Sequence, residues 1–352
     1  MTAATTPHGA APAFAAGLVD VADGACAWLQ PNGDWGESNA GLILGDDAAA
    51  LVDTAWDLPR TRQLLADIRR RTDLPLRHLL LTHADGDHAN GAQLLPDAEL
   101  ICSEAAAHEL DHEDPAALHR AWLGARLLAR SGIGAPRRFG AYVDWMLGPF
   151  DLRRIELRRP DRTFARDLVI DVGGRDAHLH HLGPAHTAGD AIVHVPSAGT
   201  VFTGDLLFVG VTPNSWSGDV DGWRRALDAI ADLGAGHLVP GHGPPAGLAE
   251  LALLDRYWAW LQEHATRLLA AGHSIDETAR RLLLGDEFRS APWGRWACPE
   301  RTVCTIVSLD RTRRGLPPAI SHRERPRVLW KVATLAHRLR LDGHSTDGLQ
   351  RP

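Results

Sequence analysis

The run Leu81-Thr82-His83-Ala84-Asp85-Gly86-Asp87-His88-Ala89-Asn90-Gly91 places two imidazoles and two carboxylates in one short turn, directly after the apolar segment Leu76 to Leu81. An apolar run of that length, bounded by polar turn residues, reads as a buried strand, and open sheets keep their chemistry at strand exits. Histidine with aspartate offers nitrogen and oxygen donors and no thiolate. That donor set suits a borderline-to-hard divalent cation.

Upstream, the pattern is one of short strands with turn punctuation. Ala27 to Gln30, Ala40 to Leu44 and Ala49 to Asp53 are separated by Pro31-Asn32-Gly33-Asp34 and Gly45-Asp46-Asp47, a β-meander. Arg60 to Arg71 carries Leu64, Leu65 and Ile68 at the spacing of a helix packed on one side. Downstream of the histidines a short helix runs to Leu95. Residues 104–150 then change character, with Trp122, Phe139, Tyr142, Trp145, Met146 and Phe150 on helical segments, and predict a cap inserted at about 104–160. Strands resume from Phe164, at Leu168 to Val172, Ala177 to Leu182, Ala191 to Val195 and Val201 to Thr203, with Pro196-Ser197-Ala198-Gly199 as a hairpin turn. The helix Trp223 to Leu233 and the strand His237 to Val239 follow. Two strand groups with helices outside predict an α/β fold, a four-layer αββα sandwich over 15–247. Helical periodicity at Leu251, Leu254, Trp258 and Leu261, and again at Val328, Val332, Leu335 and Leu339, predicts a C-terminal helical subdomain over 248–340. Residues 1–14 and 341–352 read as a disordered leader and tail.

A chain of 352 residues with 45% apolar content is globular, and its formal net charge of -7 argues against nonspecific binding of nucleic acid. Cys26, Cys102, Cys298 and Cys304 show no C-x-x-C spacing and read as reduced thiols of a cytoplasmic protein. Met1 to Ala16 lacks a basic segment, and no apolar run approaches the length of a membrane span, so neither secretion nor membrane insertion is expected. The basic stretch of Arg153, Arg154, Arg158 and Arg159, with Arg137 and Arg138 upstream, reads as a solvated strand edge; contact with an acidic carrier protein is its functional alternative.

Three more motifs follow in order: Gly183-Pro184-Ala185-His186-Thr187-Ala188-Gly189-Asp190, Phe202-Thr203-Gly204-Asp205 and Pro240-Gly241-His242-Gly243. One histidine or aspartate in a chain rich in both is usually a satisfied surface residue. Four strand-end motifs in this order outweigh that reading. His178, His180, His181 and His194 are taken as structural or supporting, His108, His112 and His119 as an exposed helical face, and Cys298 and Cys304 as core. The ordered set H-x-D-x-D-H, H-T-x-G-D, T-G-D and P-G-H-G resembles the metallo-β-lactamase-fold superfamily over roughly residues 20–247.

The resemblance implies two divalent metal ions, zinc in the first instance. His83 and His186, with Asp85, would hold the first; Asp87, His88 and His242 would hold the second; Asp205 would bridge them. It also implies a shared hydroxide as nucleophile or base, with Asp87 and Asp205 as the catalytic carboxylates. Most relatives carry histidine where this chain has Asp85, a harder and shorter ligand that implies a first site that is weak, water-filled or tuned to iron or manganese. Leu29 to Gly41, the His186 motif and Pro299-Glu300-Arg301 look like an actinobacterial branch that includes aromatic polyketide cyclases. The cap aromatics with Trp35, Trp56 and Trp216 would then line a flat apolar pocket; membership of the core is the equal alternative. The expected activity is hydrolysis or cyclisation at a carbonyl of a small molecule, an ester, thioester, lactone or polyketide. The alternatives are an iron-dependent oxygenase-type enzyme, motivated by Asp85, and a non-catalytic metal-binding module.

Overall fold

The computed structural model describes residues 5–6, 9–10, 14–31, 35–216, 219–321 and 323–341. Strand alternation explains its layering. Along Ala25–Leu29, Ala40–Leu44 and Ala49–Val52, the residues Cys26, Trp28, Leu42 and Leu51 pack with Leu64, Leu65 and Ile68 of the helix Leu58–Arg71. Their neighbours Ala25, Ala27, Ile43 and Val52 point the other way, onto Leu179, Val193 and Phe202 of a second sheet. Period-two side chains buried on both faces are what two stacked sheets with outer helices require.

The first sheet has seven strands in the order Gly17–Ala22, Ala25–Leu29, Ala40–Leu44, Ala49–Val52, Leu76–Leu80, Glu99–Ser103 and Arg162–Phe164. The first four are antiparallel to their neighbours and the rest run parallel. The second sheet comprises Asp167–Asp171, Asp176–His181, Ala191–Val195, Thr200–Phe208 and His237–His242, of which only the last pair is parallel. Asp57 caps the helix over the first sheet by accepting from the Arg60 N–H, and Asp219 caps Val220–Asp232 over the second by accepting from Gly222. This is the four-layer sandwich expected from the sequence.

The helical tail shares a core with the second sheet. Trp223 meets Trp258 of Leu248–Ala270 with ring centroids 4.6 Å apart, and Leu254, Leu261, Val332 and Leu339 join the same cluster as Leu206 and Phe208. The cap consists of Glu104–Leu110, Pro115–Arg130 and Gly134–Leu147. The basic stretch is no strand edge, because 148–161 holds no strand. Arg153 pairs with Asp151 at 2.7 Å, Arg159 with Asp111 at 3.3 Å, and Arg158 donates to the Leu95 and Ala98 carbonyls at 2.5 and 2.7 Å. In the leader, Thr5–Thr6 pairs with Gly9–Ala10; the rest of 1–13, the centre of the turn at 32–34, and 342–352 lie outside the described residues. No helix among the described residues is long and apolar enough to cross a membrane. All four cysteines are free and buried.

Candidate metal centre

Seven side chains converge from strand ends of both sheets. His83 follows Leu76–Leu80; Asp85 precedes the short helix Gly86–Ala89, which carries Asp87 and His88. His186 lies in the loop between Asp176–His181 and Ala191–Val195, Asp205 within Thr200–Phe208, and His242 at the end of His237–His242. Close approach fixes two glycines here. A Cβ on Gly241 would fall 1.9 Å from Asp205 Oδ1, and one on Gly204, whose φ is +51°, would fall 2.4 Å from Thr82 Oγ1.

Asp205 stands at the middle. Its carboxylate lies 3.9 Å from His83 Nε2, 3.1 Å from His88 Nε2, 3.3 Å from His186 Nε2 and 3.4 Å from His242 Nε2. Asp85 Oδ2 is 3.1 Å from His186 Nε2, and Asp87 Oδ2 is 3.4 Å from His242 Nε2. Donor atoms within 4.8 Å of one another define three overlapping groups: His83, Asp85 and His186; Asp87, His88 and His242; and His83, His88 and Asp205. The first two groups contain the same residues as the two sets expected from the sequence, and the third joins a histidine of each to Asp205.

The donors fit a metal because their protons are used elsewhere. The Thr82 hydroxyl donates to Asp53 Oδ2 at 2.7 Å, so the contact of 2.9 Å between Thr82 Oγ1 and His83 Nδ1 has the ring as donor. His88 Nδ1–H donates to Asp53 Oδ2 at 2.9 Å and His186 Nδ1–H to the Asn214 carbonyl at 2.7 Å. In all three rings Nε2 therefore faces inward, the arrangement in which outer carboxylates and carbonyls orient ligand histidines. His83 Nε2, His88 Nε2 and Asp205 Oδ1 are buried and have no hydrogen-bond partner in the protein. A buried acceptor without a donor is costly, and a cation removes that cost. His242 is held by stacking, its ring lying 5.0 Å from Phe208 at 6°.

Electrostatics agree. Burial pushes the His83 imidazole down to about 4, helped by the neighbouring His88. Burial also opposes a charge on His186, yet the Asp85 hydrogen bond and the Asp205 charge hold a proton there up to about 10. Asp85 stays below the usual carboxylate range although burial works against it, because His186 is its partner. Protons thus balance the acids where a dication would, and metal binding would displace them.

Several contributors were not read from the sequence. Asp53 accepts from the Thr82 N–H at 2.8 Å as well as from His88, and holds both rings from one buried carboxylate. Ser38 Oγ donates to the Asp87 carbonyl at 2.6 Å. Asn39 Nδ2 donates to the Pro240 and Gly243 carbonyls at 2.9 and 2.7 Å and fixes the turn bearing His242. The signal for Asp53 was present as a carboxylate closing an apolar strand. His178, His180 and His194 do not join the centre: they alternate with Ala177, Leu179, Val193 and Val195, which fill the space between the sheets, so they occupy the outer face. His181 lies 3.0 Å from the Ala188 carbonyl, beside the His186 loop. Among the aromatics, Trp35 Nε1 donates to the Tyr142 hydroxyl at 3.1 Å, and that hydroxyl donates to buried Glu300 at 3.0 Å. Arg301 lies over the Trp35 ring at 4.2 Å. The Pro299-Glu300-Arg301 motif therefore ties tail, cap and the loop before Ser38 together.

The family model of the metallo-beta-lactamase superfamily matches residues 33–242. A linear primary-alkylsulfatase of Pseudomonas sp. is 22% identical over 265 residues, 69% of this chain and 49% of the relative. The chain thus spans about half the length of that relative. The stereoselective inverting sec-alkylsulfatase of Pseudomonas sp. superposes over 86% of this chain and 51% of its own with a TM-score of 0.61 at 16% identity. The FIM-1 metallo-beta-lactamase of Pseudomonas aeruginosa, solved in a mono-zinc form, covers 70% of this chain and 96% of its own with a TM-score of 0.50 at 21% identity.

Proposed function

Because the chain belongs to the metallo-beta-lactamase superfamily, we propose that it is a metal-dependent hydrolase whose two ions are held by His83, Asp85 and His186 and by Asp87, His88 and His242, with Asp205 shared between them. The observation that carries this reading is the set of inward, unpartnered donors, His83 Nε2, His88 Nε2 and Asp205 Oδ1. Bound divalent ions would acidify a water and polarise the oxygen of a substrate in contact with them. The protein's own share is positional. Asp53, through His88 and Thr82, fixes two rings. Asn214 fixes a third, and Ser38 and Asn39 fix the backbone at Asp87 and around His242.

The Asp85 and Asp87 side chains are 21% and 14% exposed, whereas those of His83, His88, His186, Asp205 and His242 are at most 4% exposed. We infer that substrate reaches the centre past these two carboxylates, where Asp87 would take a proton from the attacking water. The substrate class proposed is a carbonyl ester, thioester or lactone, with cyclisation of a polyketide as a variant using the same centre. The likeness to alkylsulfatases supports sulfate esters as a second reading. The test is hydrolysis of 4-nitrophenyl acetate, a 4-nitrophenyl thioester and 4-nitrophenyl sulfate by protein loaded with zinc, iron or manganese. Turnover of an acyl ester by the zinc form supports the first reading, and turnover of the sulfate alone supports the second. Activity with none, despite two bound ions, would leave a binding module.

A further inference from the structure

The tail approaches the His186 loop through Trp216. Arg325 opens the helix Arg325–Leu341, and the segment before it is anchored where the Ile320 N–H donates to the Trp216 carbonyl at 2.6 Å. Trp216 in turn donates its N–H to the carbonyl of His186 at 3.2 Å. The Arg325 guanidinium lies 5.3 Å over the Trp216 ring, with Nη1 3.6 Å from Glu113 Oε1 of the cap. Its charge acts on Asp85, Glu109 and Glu113 together. Glu109 accepts from the Ala188 and Gly189 N–H groups at 3.2 and 3.1 Å, within the His186 loop. Arg325, Trp216, Glu109 and Glu113 thus gather around the His186 loop, whose imidazole meets Asp85 at 3.1 Å.

Arg325 is incompletely used there. Its Nε is buried without a hydrogen-bond partner, the Glu113 contact exceeds hydrogen-bond length, and the side chain keeps 23% of its exposure. If its task were only to neutralise Glu113, a direct fork onto that carboxylate would be expected. Held over an indole with an Nε–H that no acceptor takes, a guanidinium is prepared for a planar or tetrahedral anion. A surrounding of carboxylates would repel such an anion without it.

We propose that Arg325 recognises an anionic group of the substrate, a carboxylate or a sulfate, and sets it beside the Asp85 side of the metal centre. This rests on the hydrolase reading above, but anion binding can be measured without turnover. The zinc-loaded protein and its Arg325→Met and Arg325→Lys variants are titrated calorimetrically with glutarate and with sulfate. The same proteins are assayed on neutral 4-nitrophenyl acetate, anionic mono-4-nitrophenyl glutarate and 4-nitrophenyl sulfate. Arg325→Met is expected to weaken the bound anion about 10- to 100-fold, the worth of a charge-assisted hydrogen bond. It should raise KM for the matching anionic substrate by a similar factor, with acetate turnover and zinc content changed less than about twofold. Arg325→Lys should recover part of the loss. Whether glutarate or sulfate binds identifies the anion. Equal effects on acetate and the anionic esters, or wild-type protein that binds neither anion, would overturn the proposal. Inactivity on every ester with anion binding still dependent on Arg325 would overturn the hydrolase reading alone.

Discussion

Asp53 accepts the Nδ1–H of His88 at 2.9 Å from a backbone held at φ 60°, one of three non-glycine residues in that region among those described. Its other partners are the N–H and hydroxyl of Thr82, which carries His83. Asparagine tolerates the left-handed backbone but turns an acceptor oxygen into a donor toward one of these partners. Asp53→Asn should therefore keep the fold and lower metal affinity about 10- to 100-fold. Competition with a chromophoric chelator measures it; unchanged affinity would remove Asp53 from the support of the centre.

Among the described residues, Asp205 is the carboxylate that lies within 4 Å of Nε2 of all four histidines. Asp205→Asn should lower kcat by at least about 100-fold while circular dichroism stays that of the parent. Two ions retained with near-parental turnover would show that the centre works without a shared carboxylate.

Asp85 is a candidate ligand, harder and shorter than histidine, and it pairs with His186 at 3.1 Å. Asp85→His should raise zinc occupancy of the first group, read by metal analysis after dialysis. If occupancy does not respond, Asp85 lies outside the coordination sphere. Lower activity despite more zinc would point to a native metal other than zinc.

Burial, then Asp85, pushes Glu113 up to about 7 against the opposing charge of Arg325. The folded protein then holds a proton on Glu113 that the unfolded chain releases near the ordinary carboxylate value. Stability contributed by this group is present below that ordinary value and is lost as pH rises toward 7. Relative to Glu113→Gln, the parent should lose about 1–3 kcal/mol between pH 5 and pH 8, measured by urea unfolding. Parallel stability profiles would show that Glu113 titrates normally.

The Tyr142 hydroxyl bridges Trp35 and Glu300, and its ring is buried. Tyr142→Phe should cost about 1–3 kcal/mol by leaving those partners short of a bond. KM for small esters should stay near the parental value. A large rise in KM with no loss of stability would return Tyr142 to a substrate pocket.

The candidate ligands that the fold brings together were legible in the sequence because each sits in a motif with its own local signature: His83 to His88 on a turn after an apolar run, His186, Asp205 and His242 beside glycines that permit close approach. Their supporters were not. Asp53 lies 35 residues from His88, and Asn39 lies 201 residues from Pro240, so only the folded sheets bring them together. The strand Glu99–Ser103 is a short parallel strand buried between neighbours, with no alternation to mark it. Thr200–Phe208 reads as ending at Thr203 because Gly204 turns to φ +51°, yet pairing with His237–His242 continues through register shifts. The role of Arg325 was hidden for a similar reason, since a basic residue opening a tail helix says nothing of the Trp216 and Glu113 it meets.

The first sheet's loops supply His83, Asp85, Asp87 and His88, while the second supplies His186, Asp205 and His242. Neither half alone offers a complete set of donors. Each bound ion would therefore tie the halves together, and its binding free energy would add to their docking by mass action. A cell short of metal would hold a form whose halves part more readily, the kind of species that proteases remove. Metal supply would then govern how much of the protein persists as well as how fast it works.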